Sequence, residues 1–147
     1  MVDFYLAHAV GVKDSTLLPP AKFDGRLVGA KSKATRAIHP AGVAYALADR
    51  LFLASLKAGE QITNIEVTSD TTLGTTTLSV GTTAIPAKSA NARTMTVVDT
   101  PTEIGPRATA VDDGPLAADE DVWVTLAVTG IAGAVIFAID FDVISSS

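Results

Sequence analysis

The sequence has no cysteine among its 147 residues. A disulfide framework and thiolate chemistry are therefore excluded. No run of apolar residues approaches the roughly 20 that a membrane-spanning helix needs, so we expect no membrane partner. The opening residues, MVDFYLAHAV, lack the basic region and the long apolar stretch of a secretory signal, and we expect synthesis in a cytoplasm.

Residues that carry catalytic chemistry are also scarce. There are two histidines; His8 lies in an apolar stretch and His39 precedes a proline. The sequence contains no Gly-x-Ser-x-Gly elbow, no His-x-x-x-His pair, no Walker loop and no Gly-x-Gly-x-x-Gly. We therefore predict that the protein is not an enzyme, that both histidines are structural, and that no cofactor is needed.

The acidic clusters do not form a recognised ligand pattern. Asp112-Asp113 and Asp119-Glu120-Asp121 fall in predicted loops, where carboxylate oxygens can bind calcium. Because these clusters lack the alternating acids, central glycine and terminal glutamate of a calcium loop, we predict no metal site. Asp140 and Asp142 share one face of a predicted strand. A glycosidase pair is the alternative, but the alanine on that face favours the solvated side of a sheet.

Charge is distributed unevenly along the chain. Residues 1–40 carry a net charge of +3 and the remainder −8, which gives the total of −5. A basic segment on an acidic body suggests contact with a partner. The basic residues are dispersed and the aromatics are not interleaved with them, so we do not predict a nucleic-acid partner. An acidic protein partner and a merely solvated strand both remain open. The candidate contact residues of this segment are Phe4, Tyr5, Lys22, Arg26, Lys31, Lys33 and Arg36.

Most of the chain after residue 25 alternates apolar with polar residues, which predicts β-strands. The pattern predicts a central hairpin over 62–83 with its turn at 69–74, and a C-terminal hairpin over 122–144. A basic edge strand is predicted over 25–38, with a helix over 30–38 as the alternative. Residues 1–24, which include Pro19-Pro20, are predicted to form an extended N-terminal arm, and residues 25–147 an antiparallel β-sandwich. Further strands are predicted over 50–56, 94–99 and 107–111.

Two features suggest contact with other subunits or proteins. Apolar residues make up 48% of the chain, and its mean hydropathy is +0.36; these values are high for a soluble monomer and favour a homo-oligomer. Trp123 lies opposite the apolar row of its strand, so it belongs either to a second core layer or to an interface. Tryptophan is frequent in binding hot spots, whereas large aromatic residues are mostly buried in cores.

Two motifs connect these patterns to a family. The segment Leu56-Lys57-Ala58-Gly59-Glu60 and the segment LGTTTLSVG at 73–81, set within residues 50–143, resemble the small accessory virion proteins of tailed bacteriophages. Such proteins decorate the head or form the base of a head fibre. Leu56 stands where the family usually has a proline.

The resemblance implies an oligomeric jelly-roll sandwich, often a trimer. With the lack of catalytic residues, it leads to the hypothesis of a structural virion protein that binds the major capsid protein on the capsid surface. The residues that we expect to make this contact are the candidates above and Trp123. A tail or neck component and a carbohydrate-binding sandwich module are the alternatives.

Overall fold

The computed structural model describes residues 31–39 and 42–145. The predicted arm and the first part of the basic segment lie outside the described residues. The elements are β1 (Lys31–Ile38), β2 (Arg50–Leu56), β3 (Glu60–Ser69), β4 (Thr77–Thr82), β5 (Ala90–Thr94), β6 (Thr102–Gly105), α1 (Ala108–Asp112), β7 (Glu120–Ala127) and β8 (Phe137–Ser145). Among these residues, no helix is long and apolar enough to cross a bilayer.

The eight strands form two antiparallel sheets packed face to face. The first sheet has the order β1-β8-β3-β6 and the second the order β2-β7-β4-β5. The predicted antiparallel sandwich is confirmed. Two four-stranded sheets with this strand order form a jelly roll.

The core lies between the sheets and follows the alternation in the sequence. β8 buries every second residue, from Phe137 to Val143, and β7 buries Val122, Val124 and Leu126. In the central strands β3 and β4, the side chains of Ile65, Val67, Leu78 and Val80 are fully buried. The apolar rows of the alternation are therefore the inward faces of these four strands, except that Val128, which continues the row of β7, is exposed.

Both predicted hairpins are wrong. β3 pairs with β8 and β6, whereas β4 pairs with β7 and β5, so the segment 70–76 crosses from one sheet to the other. The segment 128–136 does the same between β7 and β8. Alternation fixes which side chains point inward, but two strands with apolar inner rows can face each other across the core as well as lie side by side.

The segment between β4 and β7 also differs from expectation. The strand predicted over 94–99 is wrong, because the strand β5 covers Ala90–Thr94 and ends where the predicted one begins. Met95 is buried, whereas Val97, which alternation would place on the same face, is exposed. The strand predicted over 107–111 is replaced by the short helix α1, which follows Pro106. At the start of the described chain, the strand β1 excludes the alternative of a helix over 30–38 for Lys31–Ile38.

The connections divide between the two ends of the sandwich. The strand registers place four connections at one end, and each crosses between the sheets. We call this the crossover end; its described residues are 39, 42–49, 70–76, 95–101 and 128–136. The connections 57–59, 83–89 and 106–119 lie at the opposite end.

Candidate protein-contact surfaces

The basic strand β1 is an edge of the first sheet, as predicted. Its eight residues pair with β8 alone, from Lys31 opposite Ser145 to Ile38 opposite Ala138. Nearly all of its residues are exposed. Lysine and arginine on an exposed edge discourage unwanted strand pairing, because a neighbouring chain would have to bury their charge.

The Lys33 side chain extends past β8 and forms an ion pair with the buried carboxylate of Glu60 on β3. Its ammonium donates to Glu60 Oε1 at 2.6 Å, while the Lys57 backbone N–H donates to Glu60 Oε2 at 2.8 Å. Glu60 is only 8% exposed. The hydrogen bond from Lys33, with that from the Lys57 backbone, lowers the pKa of Glu60 below its ordinary value. Lys33 therefore ties the edge strand to β3.

Arg36 is held on the outer face of the same sheet. Its Nε donates to Asp140 Oδ1 at 2.6 Å and its second terminal nitrogen to Asp140 Oδ2 at 2.8 Å. This two-point pairing lowers the pKa of Asp140, chiefly through the hydrogen bond from Arg36. Two of the cations expected to contact a partner, Lys33 and Arg36, thus have carboxylate partners within the chain.

Of the other candidate contact residues in the N-terminal segment, only Lys31 lies among the described residues. Lys31 is exposed at the first position of β1. Phe4, Tyr5, Lys22 and Arg26 lie outside the described residues, so their role in contact stays a prediction.

Trp123 lies on the outer face of the second sheet. Its register neighbours are Phe52 on β2 and Gly81 on β4. The Phe52 ring meets it edge-on at 5.4 Å between centroids, and the Arg50 guanidinium lies 4.7 Å above its ring. The indole N–H is buried and has no acceptor among the described residues. Arg50, Phe52 and Trp123 form an aromatic cluster whose Phe52 side chain is exposed.

Sequence reasoning missed Arg50 and Phe52 as members of this cluster. The signal was present, because both alternate with Leu51 and Leu53, which line the core side of β2. Tryptophan, arginine and other aromatic residues are typical of binding hot spots. Since Arg50 covers one face of the indole, the cluster does not offer the open aromatic platform that stacks on a sugar ring.

His39 has a structural place at the end of β1. Its Nδ1 lies 2.5 Å from the Val135 carbonyl oxygen and its Nε2 lies 2.6 Å from the Val43 carbonyl oxygen. The ring stacks on Phe137 with 4.7 Å between centroids. Because a carbonyl can only accept, each contact is a hydrogen bond when the facing nitrogen carries a proton. The ring thereby joins β1 to two connections of the crossover end.

In the cluster Asp119-Glu120-Asp121, both aspartates have partners within the chain. Asp119 accepts hydrogen bonds from Lys57 Nζ and from the Ala58 backbone N–H, both at 2.9 Å, and these bonds lower its pKa. Asp121 accepts a hydrogen bond from the Ser55 hydroxyl at 2.5 Å. Within residues 31–39 and 42–145, the structure brings together no group of three or more His, Asp or Glu side chains that could hold a metal ion.

No protein-family model and no curated protein matches the chain. Among solved structures, 80% of the chain superposes on 86% of a chain in the capsid of Ralstonia phage GP4, with a TM-score of 0.53 and 22% sequence identity. The two chains share a fold. Weaker likenesses are to chains in the Cyanophage Pam1 capsid asymmetric unit (TM-score 0.48, 11% identity, 79% and 84% covered) and in the acidic stable capsid structure of Helicobacter pylori bacteriophage KHP30 (0.45, 10%, 78% and 95%).

Many apolar side chains on the surface of this chain are exposed to water. Ten large apolar residues of the described chain are exposed, with exposed fractions between 43% and 65%. Single exposed apolar residues are normal on any protein, whereas grouped ones mark sites of contact with other proteins. They are Ile38, Val43, Leu47, Phe52, Ile85, Val97, Val98, Val111, Val128 and Ile136.

Proposed function

We propose that this chain is a structural protein of a tailed-phage virion that binds the major capsid protein on the surface of the assembled capsid and decorates or stabilises it. The observation that carries the proposal is the set of ten exposed large apolar side chains on a chain of only 15.1 kDa. Such a surface suits a protein that is covered by others in an assembly. The fold shared with a chain in a phage capsid supports the same assignment.

Self-association is part of the proposal, with a homotrimer favoured by the family resemblance. An oligomer presents several copies of one contact surface to a repeating lattice. Once the first copy has bound, the other copies of the oligomer bind within the same complex, at a high effective concentration. The overall affinity therefore exceeds that of a single contact, although each individual contact is unchanged. Weak individual contacts then suffice for stable attachment.

The test is co-sedimentation of the purified full-length protein with capsids stripped of accessory proteins. We expect saturable binding to these capsids and none to capsids that still carry their full complement. Analytical ultracentrifugation of the free protein measures the oligomer, with a trimer expected.

Other outcomes would reassign the protein. Binding to isolated tails but not to capsids would indicate a tail or neck component. Glycan binding that Trp123→Ala abolishes, without capsid binding, would indicate a carbohydrate-binding module.

A further inference from the structure

The exposed apolar side chains are concentrated at the crossover end. Seven of the ten lie in its four connections or, for Ile38, at the strand position beside them. Only Phe52, Ile85 and Val111 lie elsewhere. The seven residues are Ile38, Val43, Leu47, Val97, Val98, Val128 and Ile136.

The charge of this end has one sign. Its described residues include no lysine and no arginine, whereas Asp49, Asp70 and Asp99 are all exposed. Two of these carboxylates also hold the local backbone, since Asp49 accepts from the Ala46 N–H at 2.7 Å and Asp70 from the Ile136 N–H at 2.9 Å. An apolar area with few charges resembles the centre of a protein interface.

The four connections are bound to one another. Tyr45 and Ile131 form a β-bridge, and the Thr76 and Thr129 hydroxyls are 2.5 Å apart. The Leu73 N–H donates to the Met95 carbonyl oxygen at 2.9 Å, which joins the fourth connection to these three. Gly130 permits the close approach at this bridge, because an added Cβ would collide with the Tyr45 carbonyl oxygen. A surface held in place before binding loses less conformational entropy when a partner docks.

The surface of this end is concave beside β1. Two depressions, of about 470 Å³ and about 610 Å³, adjoin each other and share Ile38 and Ile136 in their linings. Asp70 and Asp99 line the first of them, and so does Arg36, whose guanidinium is paired with Asp140. An apolar side chain of a partner can enter such a depression while a cation beside it meets the aspartates.

We propose that the crossover end is the surface that docks on the capsid lattice protein, and that the patch it contacts is apolar at its centre and basic at its rim. This inference rests on the proposed function. End-to-end docking of two copies would bring two sets of aspartates together, and like charges across an interface are unfavourable. The partner surface is therefore a different one, with the opposite charge.

The test uses matched substitutions in the full chain. Val128 and Val111 are 59% and 60% exposed, and Ile136 and Ile85 are 63% and 56% exposed, with one member of each pair at either end of the sandwich. The double variant Val128→Asn/Ile136→Asn should bind stripped capsids about tenfold more weakly or worse, as expected for central apolar contacts. The control Val111→Asn/Ile85→Asn should bind within about twofold of wild type, because peripheral residues contribute little.

A second pair tests the charge. Asp99→Asn keeps a residue type that tolerates the positive φ of 54° at this position. It should weaken binding at low salt and flatten the salt dependence, whereas Asp113→Asn at the opposite end should do neither.

Each outcome decides the inference. If wild type does not sediment with capsids, the proposed function fails and this inference falls with it. If wild type and all variants bind alike, the inference alone is wrong. If Val128→Asn/Ile136→Asn instead dissociates the free oligomer, the crossover end is a contact between copies, which also overturns the proposal. Circular dichroism and thermal melts verify that each variant is folded.

Discussion

Glu60→Gln removes a buried carboxylate while keeping the shape of the side chain. The carboxylate accepts one hydrogen bond from Lys33 and one from the Lys57 backbone. Glutamine offers one oxygen for these two donors, so one hydrogen bond is lost. A hydrogen bond to a charged group contributes about 1.5–3 kcal/mol. Because the Lys33 side chain is half exposed and can return to water, we expect a loss of about 1–2 kcal/mol at pH 7.

The contribution of Glu60 to stability should depend on pH in a defined direction. The folded protein lowers the pKa of Glu60, so the stabilisation is complete above the carboxyl's unfolded pKa and is lost as the pH falls through the folded value. The difference in unfolding free energy between wild type and Glu60→Gln should therefore shrink toward zero as the solution is acidified.

The assay is urea unfolding followed by circular dichroism, from pH 7 down to the lowest pH at which both proteins fold. At pH 7 the melting temperature should fall by about 2–4 °C for each kcal/mol lost. Glu103→Gln, an exposed carboxylate on β6, is the matched control and should change stability by no more than about 0.5 kcal/mol. Equal stability of Glu60→Gln and wild type at pH 7, or a difference that does not change with pH, would refute the reasoning.

Three further predictions concern stability and solubility. Ala48 has a φ of 74°, so Ala48→Gly should raise the unfolding free energy by about 0.5–1 kcal/mol. The control Ala134→Gly, at an exposed position with negative φ, should lower it by a similar amount, and urea unfolding measures both. Gly130→Ala should destabilise by about 1–3 kcal/mol in the same assay, because backbone must move; an unchanged midpoint contradicts the close approach. A chain that begins at Val43 lacks β1 and exposes the edge of β8, so its soluble fraction should fall sharply; full solubility with native circular dichroism would show that β1 is dispensable.

The inward faces of the strands could be predicted from sequence, but their partners could not. The alternation in β8 identified Phe141 and Val143 as core residues, because a period of two has a single physical meaning in a strand. It contains nothing about which strand lies alongside. A clue in the sequence was the predicted turn over 69–74, which at six residues is longer than the two to five residues of the usual hairpin loop. Leu73, buried within this segment, is the kind of residue that anchors a crossing between sheets.

The contact surfaces were harder to find in the sequence. Val128 continues the alternation of β7, and this pattern alone would place it on the core side, but its φ of 77° turns the chain and leaves the side chain exposed. Positive φ is a rare and strained conformation for a β-branched residue, and the local sequence pattern does not predict it. The crossover end consists of four connections far apart in sequence, so its shared lack of lysine and arginine emerges only when the topology brings them together.

The same topology changes the meaning of the basic segment. Residues 1–30 contain three basic and three acidic residues, so they carry no net charge, and the positive excess of residues 1–40 lies in β1. There Lys33 and Arg36 pair with Glu60 and Asp140 of the acidic body. The charge asymmetry that suggested a distant partner is thus in large part an attraction between this strand and its own sheet.

The variant Lys33→Met tests whether Lys33 stabilises the fold or contacts the capsid. If Lys33 serves the fold, the variant should unfold at lower urea concentration than wild type yet bind capsids with unchanged affinity, because the ammonium contacts Glu60 rather than a partner. Lys31→Met, on the same strand and exposed, is the control and should leave stability unchanged. The opposite result for Lys33→Met, weaker capsid binding at unchanged stability, would return the cation to the contact surface that the sequence alone suggested.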